Sequence, residues 1–132
     1  MRFTKGKWVA SYKDVWSLDD TLNEIILAGL VKFKDVLENS TWKGVPADFV
    51  DADSEEPDFD SWMTAIDKMI YAFDCSHEPT LSHFDIRVSL SSLNSVYNQP
   101  NFQLYQEAWE VHKAKVKEGR ELFIKYYDSL WV

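Results

Sequence analysis

Hydrophobic positions in the last third of the chain recur at steps of three or four, and this spacing predicts one long amphipathic helix over residues 101–130. Asn101 follows Pro100 and is predicted to cap the first turn. A helix with so much aromatic surface is not stable alone in water, so we expect other helices to pack against it. The predicted buried face comprises Leu104, Ala108, Val111, Lys115, Gly119, Leu122, Phe123, Tyr126 and Leu130.

A second helix is predicted over residues 17–39. Ser17 is suited to cap its N-terminus, and Asp20, three residues later, completes a pattern like a capping box. Acidic residues in the first turn favour this start because they face the positive end of the helix dipole. The predicted apolar face comprises Leu18, Leu22, Ile25, Ile26, Gly29, Leu30, Phe33 and Leu37.

A third helix is predicted over residues 61–74, with Asp60 or Ser61 as its cap. The stretch before it, 44–60, holds two prolines and a high density of acids, which predicts a solvated acidic loop. The predicted buried face of the helix comprises Trp62, Ile66, Met69, Ile70 and Phe73.

The remaining segments are less regular. Residues 7–13 lack helical spacing and are predicted to be extended. Residues 75–100 are predicted to be an irregular insertion, in which serines favour a loop or short helix. A second interpretation pairs the N-terminal segment with the alternating residues Ile86, Val88 and Leu90. The predicted fold is mainly α: one domain, 1–132, built as a compact bundle of three principal helices with a short N-terminal extended element.

Composition narrows the class of protein. The chain has 132 residues, 45% of them hydrophobic and 15% aromatic, which indicates a folded domain with a real core. Its longest apolar stretch, 25–31, is too short to span a bilayer. The single cysteine, Cys75, cannot form an internal disulfide. We therefore expect a cytoplasmic protein that does not bind membranes.

Charge argues against a protein that binds nucleic acid polymers, because the formal net charge is −8 and such binding relies on neutralising phosphates. The charge is uneven. Residues 44–85 carry eleven acids against Lys68 alone, whereas residues 1–43 and 86–132 are each near +1. A basic pocket for a small phosphate-bearing ligand is therefore compatible with the two flanking thirds.

Metal motifs are incomplete. Asp51, Asp53 and Glu55 resemble the start of a calcium loop, but Glu56 stands where glycine is required and Trp62 where a carboxylate is required. Zinc sites usually show paired ligands at tight spacing, and no second pair accompanies Cys75, His77 and His83. We predict neither a metal nor a cofactor.

Paired carboxylates are the one pattern that favours an enzyme. All-α nucleotide pyrophosphohydrolases hold magnesium with acids at helical spacing. An alternative explanation is a set of exposed ion pairs within the helix, because Lys113, Lys117 and Arg120 lie one turn away. Neither a phosphate loop nor a nucleophile motif is present, so no catalytic residue is assigned. The candidate acids are Glu107 with Glu110, Glu118 with Glu121, and Asp20 with Glu24.

Aromatic and basic residues supply a candidate binding site. Flat rings stack on nucleobases, cations bind phosphates, and a carboxylate accepts hydrogen bonds from ribose hydroxyls. We predict that the start of the 17–39 helix and the end of the 101–130 helix approach one another and join these groups. The predicted ligand-binding residues are Trp16, Asp19, Trp62, Arg120, Lys125 and Tyr126.

Three stretches together resemble a family of small uncharacterised proteins of tailed bacteriophages: W-S-L-D-x-T-L at 16–22, D-K-M-I-x-A-F at 67–73 and E-G-x-x-L-F-x-K-Y-Y-x-S-L-W at 118–131. The resemblance implies a viral protein acting in the host cell cytoplasm. Small phage proteins of this kind include counter-defence proteins that sequester nucleotide immune signals. This chain is similar in kind, because it is small, compact and aromatic-rich and has no obvious catalytic set. Our first hypothesis is therefore a homo-oligomeric sponge for a cyclic ADP-ribose-type or cyclic oligonucleotide signal. The alternatives are a magnesium-dependent hydrolase and a structural or host-protein-binding role.

Overall fold

A short β-hairpin and four α-helices account for the regular structure in this computed structural model, which describes residues 1–41, 44–87 and 96–131. The predicted fold class is confirmed: the chain is mainly α with a compact helical core. No helix in these ranges is long and apolar enough to cross a membrane. The elements are β1 (Arg2–Thr4), β2 (Lys7–Val9), α1 (Tyr12–Trp16), α2 (Leu18–Asn39), α3 (Phe59–Phe73) and α4 (Phe102–Lys125).

The core is centred on α3, which packs antiparallel to α4. The ring of Trp62, near the start of α3, lies 5.5 Å from that of Tyr126, at the end of α4. The Tyr71 hydroxyl, near the end of α3, lies 2.9 Å from Nδ1 of His112 in the first half of α4. The predicted buried face of α3 is confirmed, and Trp62, Ile66 and Met69 are its most deeply buried side chains.

Gly119 sets the distance between α3 and α4. A Cβ atom added at this position would lie 2.2 Å from the Lys68 carbonyl oxygen and 2.5 Å from Cβ of Ala72. Both distances are far below ordinary van der Waals contact, and neither a backbone oxygen nor a β-carbon can rotate away. Glycine is therefore required here for space, since the helix backbone itself would accept alanine.

The second half of α2 packs on α3. Leu30 and Leu37 are buried, and Nζ of Lys34 pairs with a carboxylate oxygen of Asp67 at 2.6 Å. The predicted apolar face of α2 is wrong in its first half. Leu18, Leu22 and Ile25 are 43–48% exposed, whereas Ile26 is partly buried against the core.

The predicted buried face of α4 is also wrong in its first half. Leu104 and Val111 are exposed, and His112 is buried instead. The reason is that Tyr71 of α3 and Phe84 of the loop before α4 pack on the adjacent side of α4. The inward face is therefore rotated by about one residue, or about 100°. In the second half of α4, Gly119 and Tyr126 are buried as predicted.

Two predicted helix caps are corrected. Ser17 precedes α2 but makes no side-chain capping bond. The capping box lies one element earlier, where the Ser11 hydroxyl and the Asp14 carboxylate each accept a hydrogen bond from the other residue's backbone N–H at the start of α1. Asn101 precedes α4, but its side-chain amide donates to the carbonyl oxygen of Phe84 at 2.9 Å. It therefore joins the helix to the preceding loop.

The acidic loop, 44–60, is more ordered than a solvated coil. Phe49 packs its ring 5.3 Å from that of Trp62, and an isolated bridge joins Val50 to Pro57. The loop ends at the cap of α3. That cap is Asp58, whose carboxylate oxygen accepts a hydrogen bond from the Ser61 N–H at 3.0 Å. The prediction that Asp60 or Ser61 caps α3 is therefore wrong.

The predicted extended element is shorter than 7–13. β2 pairs antiparallel with β1, and Lys5 and Gly6, both with positive φ, form the two-residue turn between the strands. Tyr12 already begins α1. The alternative strand pairing to Val88 and Leu90 involves residues that lie outside the described ranges.

Substitution of the two helical glycines tests the close approach of α3 and α4. We expect Gly119→Ala to lower the free energy of unfolding by about 1–3 kcal/mol through overpacking. Gly29→Ala is the matched control, because a Cβ there meets nothing within 4 Å. It should raise stability by about 0.5–1 kcal/mol through helix propensity. Urea unfolding of both variants measures the difference, and equal effects would contradict the assigned role of Gly119.

Candidate functional site

An open groove of about 490 Å³ runs along one side of α4, and we call it the α4 groove. Its α4 side chains recur at steps of three and four, so they form one stripe beside the buried face. Ala72 and the turn after α3 form the opposite wall, and Asn23 of α2 closes one edge. The α4 lining comprises Trp109, His112, Lys113, Val116, Lys117, Arg120, Glu121 and Ile124.

One end of the α4 groove is aromatic and rigid. His112 is 7% exposed, and its Nδ1 atom lies 2.9 Å from the Tyr71 hydroxyl. His77 stacks on Tyr71 with ring centroids 4.6 Å apart and planes 17° apart. Trp109 meets the His112 ring edge to face at 5.4 Å. The hydrogen bond and ring contacts hold these side chains in place, which leaves a preformed apolar wall.

Three cations line the same groove. Nζ of Lys113 lies 3.5 Å from a carboxylate oxygen of Glu110, and Nζ of Lys117 lies 3.9 Å from one of Glu121. These contacts are long and solvent-exposed, so they hold the lysines weakly. The guanidinium of Arg120 lies over the Phe73 ring at 6.0 Å and makes no ion pair within the described part of the chain. Arg120 is therefore the cation most available to an anionic ligand.

Acceptors for hydroxyl groups lie opposite these cations. Asp74 and Glu78 lie on the loop after α3 and line the groove. Hydrogen bonds from the Ser76 hydroxyl and backbone N–H, with a smaller contribution from nearby His77, hold the pKa of Asp74 below its usual value. This carboxylate is therefore ionised at neutral pH and accepts hydrogen bonds without donating any.

The buried members of the predicted ligand set belong to the core. Trp62 is 1% exposed and Tyr126 is 7% exposed, and both pack against Phe49 with ring centroids 5.2–5.3 Å apart. The Tyr126 hydroxyl donates to a carboxylate oxygen of Asp48 at 3.0 Å. Little of either ring is exposed, although Trp62 contributes to the lining of a separate pocket of about 270 Å³.

The other four predicted residues lie in different places. Arg120 lines the α4 groove, whereas Lys125 turns to the opposite side and pairs with Asp48 at 3.4 Å. Asp19 lies in the first turn of α2, one turn before the groove residue Asn23. Trp16 ends α1 and is 74% exposed, outside the groove lining. Asn23 of α2 and Ile124 of α4 line the same groove, but the six predicted residues do not form one site.

Sequence reasoning missed the side chains that complete the groove. Trp109, Lys113 and Lys117 share the periodic stripe of Arg120, and that spacing is visible in the sequence. Glu78 lies in the segment 75–100, which the sequence predicts to be irregular, and Asp74 lies at the end of the predicted 61–74 helix. Residue spacing in the sequence does not predict that Asp74 and Glu78 lie beside α4, because this proximity arises from the packing of α3 against α4.

The α4 carboxylates proposed for magnesium make other contacts. Glu118 pairs with Lys68 of α3 at 2.7 Å, and Glu107 accepts a hydrogen bond from Gln103 at 3.3 Å. Glu110 and Glu121 make the lysine contacts given above. Among residues 1–41, 44–87 and 96–131, no three His, Cys, Asp or Glu side chains are grouped in a way that could hold a metal ion.

Comparison with protein-family models, with curated proteins and with solved structures finds no match to this chain. The resemblance to a phage family therefore stays a prediction. Evidence for a function therefore comes from the geometry and charge of the α4 groove.

The hydrogen bond between Tyr126 and Asp48 predicts an acid-sensitive contribution to stability. The Tyr126 hydroxyl, followed by Lys125, holds the pKa of Asp48 below its usual value. A carboxyl whose pKa is lower in the folded state stabilises the fold above its unfolded pKa, about 3.9, and this contribution declines as pH falls through the folded value. Tyr126→Phe should therefore make the free energy of unfolding fall less steeply as the pH is lowered through the range between the unfolded and folded pKa values of Asp48.

Unfolding titrations at several pH values measure this slope. Tyr127→Phe is the matched control, because Tyr127 is an exposed neighbour. The assignment is overturned if both variants keep the acid slope of the unmodified protein.

Proposed function

We propose that this protein binds a nucleotide-derived ligand in the α4 groove and sequesters it without cleavage. In a phage-infected cell this activity would counter a nucleotide immune signal. The observation that carries the proposal is the guanidinium of Arg120, which makes no ion pair within the described residues and follows two weakly held lysines on the same stripe of α4. The groove that it lines also holds an aromatic wall and hydroxyl acceptors.

The size and chemistry of the groove suit this ligand class. Its volume of about 490 Å³ falls within the range of about 300–1,000 Å³ that is typical of small-molecule sites. A guanidinium binds a phosphate through two parallel hydrogen bonds, and the lysines add point charges. The Asp74 and Glu78 carboxylates are suited to ribose hydroxyls. The ring of Trp109, which packs against the buried His112, supplies apolar surface for a base.

Sequestration is favoured over hydrolysis by the arrangement of the acids. A magnesium-dependent hydrolase needs carboxylates that converge on a metal. In the described residues, the candidate acids on α4 make separate contacts with Lys68, Gln103, Lys113 and Lys117. Hydrolysis remains the alternative function, and the fate of the bound ligand distinguishes the two.

The proposal predicts which cation of α4 contributes to affinity. Calorimetric titration with cyclic ADP-ribose and with a cyclic dinucleotide should detect binding of at least one. Arg120→Gln should weaken it by about 1.5–3 kcal/mol, the range for hydrogen bonds to charged groups. Lys125→Gln removes a cation of the same helix that faces Asp48 and should leave the affinity unchanged.

Two results would contradict this function. Equal affinities of Arg120→Gln and the unmodified protein would place the ligand outside the α4 groove. Release of the bound probe by heat, followed by mass spectrometry, should recover it intact, and recovery of a cleaved product would favour hydrolysis. Stability measured alongside should differ by at most about 0.5 kcal/mol, since both substitutions are at exposed positions.

A further inference from the structure

The first seventeen residues form an arm whose large side chains have little to pack against, and we call residues 1–17 the aromatic arm. No side chain of residues 1–29 is buried. The exposed aromatics pair with one another: Phe3 with Trp8 across the hairpin, and Tyr12 with Trp16 along α1. Soluble monomeric proteins rarely expose a large contiguous apolar surface, and where they do it usually marks an interaction site.

The aromatic arm is also basic. It carries Arg2, Lys5, Lys7 and Lys13, with Asp14 as its single carboxylate. Asp14 is engaged in the capping box of α1. None of the four basic side chains makes an ion pair within the described part of the chain. The arm therefore offers positive charge around its exposed rings.

The opposite end of the molecule has complementary features. An apolar pocket of about 270 Å³ lies between the C-terminal end of α2, the Val45–Pro46 segment and the side chain of Trp131. The acidic loop begins beside this pocket, and residues 44–60 carry seven carboxylates and no basic residue. The pocket is thus suited to a large apolar side chain that arrives with positive charge around it.

The arm and the pocket of one molecule cannot meet. Trp16 immediately precedes α2, and the pocket is lined by Phe33 and Leu37 near the other end of that helix. At 1.5 Å per residue, α2 separates Leu18 from Leu37 by about 28 Å. Contact between the two surfaces therefore requires two molecules.

We infer that the aromatic arm of one copy docks on a second copy, with Trp16 inserted into its apolar pocket and the arm's basic residues against its acidic loop. Trp16 is the most exposed ring of the arm, at 74%. A second copy fits better than an anionic membrane, because the seven carboxylates and the net charge of −8 oppose approach to negative lipids. This contact uses none of the residues assigned to the α4 groove, so either assignment can fail independently.

Sedimentation analysis over a dilution series tests the contact. The unmodified protein should self-associate at micromolar concentration, and Trp16→Ala should weaken association by about tenfold or more, as expected for an interface anchor. Tyr97→Ala is the matched control, since Tyr97 is equally an exposed aromatic but lies outside the arm and the pocket. A monomer at every concentration, or equal loss in both variants, overturns the proposal.

Charge reversal tests the pairing of surfaces. One variant reverses the arm (Arg2→Glu, Lys7→Glu and Lys13→Glu), and another reverses the loop (Asp53→Lys, Glu55→Lys and Glu56→Lys). Each alone should be monomeric, while an equimolar mixture should form a one-to-one complex, because one intact arm then meets one intact loop. A mixture that stays monomeric overturns the proposal. So does unmodified protein that stays monomeric but binds vesicles containing phosphatidylserine, which would assign the arm to a membrane.

Discussion

The approach of α3 to α4 at Gly119 is the contact on which the other features depend. With no side chain at this position, the Lys68 carbonyl and Ala72 lie against the α4 backbone, and this closeness sets the separation of the two helices. The same separation brings the Tyr71 hydroxyl to His112 and the Trp62 ring to Tyr126. A larger residue would push apart both ends of the contact, because protein interiors are packed too densely to absorb a new methyl group against backbone.

The antiparallel pair also determines how α4 divides its surface. One stripe of the helix, with Gly119 and Tyr126, faces the core, and the adjacent stripe, with Trp109, Lys113 and Arg120, lines the α4 groove. Since the stripes are neighbours on one rigid helix, the cations are positioned by the core itself. The loop after α3 then supplies carboxylates from the opposite wall. The proposed binding groove therefore borders the buried core, which favours a preformed site.

Charge is segregated along α2. Its N-terminal end carries the basic aromatic arm, and its C-terminal end lies beside the acidic loop and an apolar pocket. The fully buried side chains of α2, Leu30 and Leu37, lie in its second half. Exposed Leu18, Leu22 and Ile25 continue the apolar surface of the arm along the first half. This distribution gives one molecule two distant surfaces of opposite charge.

Local patterns in the sequence determined the fold class, the three principal helices and the buried face of α3, because a 3.6-residue period is a property of the helix itself. The basic residues that form one stripe of α4 and the acidity of residues 44–60 can also be recognised from the sequence. Tertiary packing alone decided which part of each apolar face is covered. Leu18 and Leu104 match the helical period as well as Leu30 does, yet they stay exposed, since burial depends on what another element places opposite. The same reason separates Trp62 from Trp16: both are aromatic residues near helix ends, and only contact with Phe49 and Tyr126 makes Trp62 part of the core.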